Sequence, residues 1–71
     1  MPNSKQIKAR MTELHITQKD VATTLGIAAP TVSQKINGVR PMNLDEARTL
    51  ADMLHIDTGE FGEYFFTAEL A

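Results

Sequence analysis

Few residues of this 71-residue chain have the type and spacing for covalent chemistry. Asp57, Thr58 and Gly59 spell the DTG triplet of aspartic proteases, but those enzymes pair two such carboxylates at strand ends, and here the context is that of a helix start. His15 and His55 would need further ligands at suitable spacing to hold a metal, and no HExxH is present. Each lies where a helix is expected to end, close to the negative pole of its dipole. Ser4 and Ser33 lack a nucleophile elbow, no glycine-rich loop could cradle a phosphate, and there is no cysteine to supply a thiolate. We therefore expect no enzyme, no metal, no cofactor and no small-molecule substrate. What remains is recognition chemistry: Thr31, Ser33, Gln34 and Lys35 place four hydrogen-bonding side chains in one short window.

The elements that must position this window follow from caps and periodicity. Asn3 or Ser4 opens a first helix over 4–14, with Ile7, Met11 and Leu14 on one face, and His15 and Ile16 break it. Thr17 caps a second helix over 18–25, with Asp20 placed to complete a capping box and Val21, Ala22 and Leu25 inward. Gly26 stands where a left-handed residue is needed to turn the chain. A third helix spans about 29–36, with Pro30 in its first turn and Val32 and Ile36 inward, and the Asn37–Gly38 pair ends it. Asn43 and Glu46 open a fourth helix through Leu54, with Leu44, Ala47, Leu50, Ala51 and Leu54 inward. Asp57 and Glu60 repeat that device for a last helix, about 58–66. No stretch alternates as a strand would, so the fold class is all-α, a compact five-helix bundle forming one domain over 1–71.

Composition narrows the setting. A chain this short with 42% hydrophobic residues builds one small core, and without cysteine that core relies on packing alone. No apolar run approaches the roughly 20 residues of a membrane span, and the N-terminus lacks a secretory signal, so a soluble, cytoplasmic protein with no membrane partner is expected. The net charge of −2 hides an asymmetry. Residues 1–40 hold six basic side chains against two acidic ones, a balance of +4, whereas residues 41–71 hold one against seven, a balance of −6. One half can face a polyanion while the other faces away.

Two short helices joined at one glycine cross at a wide angle, so the second projects as a ridge braced by the first, and such a ridge fits the major groove of DNA. Gln18 opening helix 2, Ala22 at the close contact, Gly26 in the turn, Ile27 after it, Val32 inside helix 3 and the following Asn-Gly resemble the helix-turn-helix of Cro/cI-type (XRE) regulators. The "KING", "MNLDEARTLADML" and "GEYFF" stretches resemble a small phage-type subgroup. The resemblance implies a lambda-repressor-like DNA-binding domain that occupies operator DNA as a transcriptional regulator. It implies that Gln18 bonds a phosphate, and that Ala28, Ala29, Thr31, Ser33, Gln34 and Asn37 occupy base-facing positions. Lys19, Lys35, Arg40 and Asn43 would hold the duplex backbone, with Lys5 and Lys8 farther out. Gln34 is the strongest candidate for direct readout, because a carboxamide bonds adenine bidentately.

Two departures from strong DNA binders keep other readings open. Helix 3 begins "AAP", without polar side chains, and the chain is net acidic. An antirepressor that binds another repressor through the same face is the second hypothesis, and an antitoxin the third. Phe61, Tyr64, Phe65 and Phe66 hold all four aromatic rings within six residues and are candidate contacts for a homodimer or a protein partner. Phe61 and Phe65, one turn apart, are expected to close the bundle, leaving Tyr64 or Phe66 partly exposed.

Overall fold

Local hydrogen bonds set where each helix begins. In the computed structural model, which describes residues 2–66, the Asn3 side chain accepts the Gln6 N–H and starts α1, Ser4–Leu14. Thr17 Oγ1 accepts the Asp20 N–H at 3.1 Å while Asp20 Oδ2 accepts the Thr17 N–H at 2.9 Å, a reciprocal box that opens α2, Gln18–Leu25. Asn43 and Glu46 form a second box at 2.8 and 3.0 Å, opening α4, Leu44–Met53. Between them α3, Ala29–Ile36, starts with Pro30 in its first turn, where the missing N–H has no helical partner to lose. The last element is α5, Thr58–Phe65.

Stops are as local as starts. Gly26 (φ 70°) and Gly38 (φ 78°) take the left-handed turn after α2 and α3. After α1 and α4 that role falls to His15 (φ 58°) and His55 (φ 54°). In both, the following isoleucine N–H reaches back to a carbonyl five residues earlier, Ile16 to Met11 and Ile56 to Ala51, each at 2.9 Å. The sequence Leu-His-Ile thus builds the same Schellman-type turn twice.

Twelve apolar side chains form the core among the described residues, and Ile7, Val21, Val32, Ile36, Leu50 and Leu54 are its large, fully buried members. Helix α2 packs on α3 and α4, and α1 on α5. Two long-range ties close the bundle. The Asn3 N–H donates to the Tyr64 carbonyl at 2.7 Å, and Arg10 Nε donates to the Leu54 carbonyl at 2.9 Å.

The structure corrects two expectations. Leu44 does not face inward: it is 49% exposed, in the first turn of α4 and roughly 70° around the helix from the midline of the stripe of Ala47, Leu50, Ala51 and Leu54. Asp57 does not cap α5 through its side chain, and the Glu60 N–H instead donates to the Asp57 backbone carbonyl at 2.9 Å. No helix among the described residues is long and apolar enough to cross a membrane.

Candidate nucleic-acid interface

The ridge is built from α2 and α3. Ala22 is small and buried, and its carbonyl accepts from both Gly26 and Ile27 N–H groups, so the turn closes directly against the end of α2. Val32 and Ile36 then anchor α3 from one side, both essentially inaccessible. At 3.6 residues per turn, Gln34 falls about 180° from the midpoint of those two anchors. Its neighbours on the outer surface are Pro30, Thr31 and Asn37, with Ser33 on one flank and Lys35 on the other.

Each predicted contact residue has a definite setting. Ala28, Pro30 and Asn37 are exposed, whereas Ala29, Thr31, Ser33 and Gln34 are half-buried along the same helix. Asn37 Nδ2 donates to Ser33 Oγ at 3.3 Å, which turns the amide back over the helix and fixes its orientation. Gln18 is half-buried at the first position of α2, next to exposed Lys19. The carboxylate of Asp20 lies one residue further on, and the hydrogen bonds it accepts from the Thr17 N–H and hydroxyl region hold it below the ordinary aspartate range.

The loop after α3 is tied to the helix it follows. Both Val39 and Arg40 N–H groups donate to the Gln34 carbonyl, at 2.8 and 3.2 Å. Arg40 is exposed, and its guanidinium pairs with no acidic group among the described residues. Lys35 differs. Its ammonium donates to Glu46 Oε1 at 2.8 Å and to the Pro41 carbonyl at 3.2 Å, with only 16% of either charged side chain exposed. Burial works against the charge on Glu46, but the hydrogen bonds from Lys35 and from the Asn43 N–H, and the Lys35 charge, outweigh it and hold the carboxyl below its usual value. Asn43 is likewise engaged, as the cap of α4.

Arg10, one of the six basic residues of the N-terminal half, is also engaged internally. It bonds the Leu54 and His55 carbonyls at the end of α4 and Glu13 at 2.7 Å. Neither the Arg10 nor the Lys35 link has a local sequence signal, since their partners lie 44 and 11 residues away.

A family model described as helix-turn-helix matches residues 7–61. The chain belongs to this helix-turn-helix family. It is a Cro/cI-type, XRE-family protein, and as such a DNA-binding transcription regulator. No curated protein and no solved structure matches it. In this XRE-family protein the four aromatic candidates divide. Phe65 is core at 3% exposure, Phe61 and Tyr64 are half-buried, and Phe66 is 57% exposed, with its ring 5.5 Å from that of Phe61. Phe65 is therefore withdrawn from any contact surface. Among the described residues no group of three histidine or acidic side chains could hold a metal.

Proposed function

We propose that this regulator is a Cro-like repressor of phage or prophage type that blocks a promoter by occupying operator DNA with α3 in the major groove. The observation that carries this reading is the position of Gln34, opposite the two buried anchors of α3 and beside a loop that holds Arg40 at the helix end. In this reading Gln34 bonds a base edge, Thr31, Ser33 and Asn37 bond bases or adjacent phosphates, and Ala28 and Ala29 meet thymine methyl groups. Gln18, Lys19, Arg40 and the free amide N–H groups of Asn43 hold the phosphates. Lys35 acts differently from the sequence expectation: bound to Glu46 and Pro41, it fixes α3 against α4.

Fluorescence anisotropy with DNA flanking the protein's own gene, at about 50 and 200 mM salt, tests the reading. Saturable binding that survives random competitor DNA and weakens in Gln34→Ala supports it. Binding lost entirely to random competitor overturns it.

One observation favours the antirepressor as a second reading. Ala28 and Pro30 are exposed beside Ala29, which gives the start of α3 an apolar surface suited to a protein partner. In that case Ala29→Asp abolishes capture of a second regulator while Gln34→Ala leaves it intact.

A further inference from the structure

The outer side of α4 carries an apolar groove that nothing in the recognition surface uses. Its volume is about 360 Å³, and Leu44, Arg48, Ala51, Asp52, Ile56 and Phe61 line it. Leu44, at 49% exposure, stands at one end as an apolar side chain without a core to enter. Arg48 and Asp52 are one helical turn apart and opposite in charge, yet they form no ion pair with one another or with any described residue. An arginine preceding an aspartate by four residues is the weaker order for pairing within a helix. Both charges are therefore free for an outside partner.

We propose that this groove is where two copies of the chain pair, with their α4 helices antiparallel. A twofold interface requires a patch complementary to itself, and this one has that property. In an antiparallel register centred on Leu50, Arg48, two residues before the centre, meets Asp52 of the partner subunit, two residues after it, and the symmetry makes that pair twice. The same register brings Leu44, in the first turn of α4, to the far end of the partner's α4, where the chain turns at His55. Leu44 of each copy then fills the groove floored by Ile56 and Phe61 of the other. Ala51 lies at the crossing, where a small side chain permits close approach of the helix axes. The contact uses one helix face of each copy, so weak pairing is expected.

Pairing through α4 does not depend on DNA binding and is tested without DNA. Sedimentation equilibrium of the full chain is expected to show a monomer–dimer equilibrium that salt weakens. Leu44→Asp should leave a monomer at every concentration. Arg48→Asp and Asp52→Arg should each weaken self-pairing about tenfold or more by opposing like charges, and mixing the two variants, which sets two acidic side chains against two basic ones, should restore pairing as a heterodimer to within about threefold of the wild type. All three side chains are exposed, so the variants keep the fold, which their circular dichroism checks. A wild type that is monomeric to about 1 mM overturns the proposal. So does a dimer indifferent to Leu44→Asp, a mixture of the two charge variants that fails to pair, or a dimer abolished by Phe66→Ser alone, which would assign the contact to the exposed aromatic end.

Discussion

On the proposed mode of DNA binding, Gln34 and Arg40 are the side chains whose removal separates base reading from phosphate holding. Gln34→Ala should cost about 1–3 kcal/mol of discrimination at one base pair, measured as the ratio of affinities for the operator and for a single-base variant of it. Arg40→Ala should instead weaken operator and random DNA alike and lower the slope of log affinity against log salt by about one. At His15 the backbone is strained. A residue with a Cβ held at φ 58° costs more than glycine there, so His15→Gly should stabilise the protein by about 1 kcal/mol in urea unfolding. Gly26 gives the converse case. A Cβ added at Gly26 would meet no atom within 4 Å, so Gly26→Ala should destabilise by about 1 kcal/mol through the backbone alone, and Gly26→Asn by less.

At the scale of elements, α3 is held by two unlike means: the apolar anchors Val32 and Ile36 beneath it, and the Lys35–Glu46 pair at its side. Glu46→Gln should leave the capping acceptor in place but remove the charge opposite Lys35, freeing its ammonium. We expect lower stability at neutral pH together with a steeper salt dependence of DNA binding, read by urea unfolding and by anisotropy. The helix starts at Thr17 and Asn43 and the turn at Gly26 are legible in the sequence because the groups that make them lie within four residues of one another. Leu44 is misread because it lies at the margin of the apolar stripe in the first turn, where tertiary packing decides whether a neighbouring element covers it. Asp57 is misread because the residue types of a cap do not say whether its side chain will turn inward. The partner of Lys35 is missed for a third reason: only the fold, which packs α3 and α4 on α2, brings Glu46 beside it.

For the molecule as a whole, charge is spent internally more than the sequence suggests. Of the six basic residues in the N-terminal half, Arg10 and Lys35 are committed to α4, which leaves Lys5, Lys8, Lys19 and Arg40 toward solvent. Weak, salt-sensitive attraction to random DNA follows. Acid should destabilise the domain in a defined window. Asp20 and Glu46 both have folded-state pKa values below their usual 3.8 and 4.5, so their contribution is fully present above about pH 4.5 and is lost as the pH falls through the lower folded-state values. Thermal unfolding from pH 7 to 3 should show this loss, reduced in Glu46→Gln. The described body measures 33 × 23 × 20 Å, small enough for two copies to place recognition helices about 34 Å apart, one turn of the duplex.

The guanidinium of Arg10 has a kinetic meaning as well. By grasping the Leu54 and His55 carbonyls it makes the final turn of α4 depend on a residue of α1, 44 and 45 positions away. A helix end normally frays on its own, but this one cannot open without loosening the opposite end of the chain. The amides of Leu54 and Ile56 should therefore exchange with deuterium at the rate of the Ile7 and Met11 amides, and Arg10→Met should uncouple the two sets.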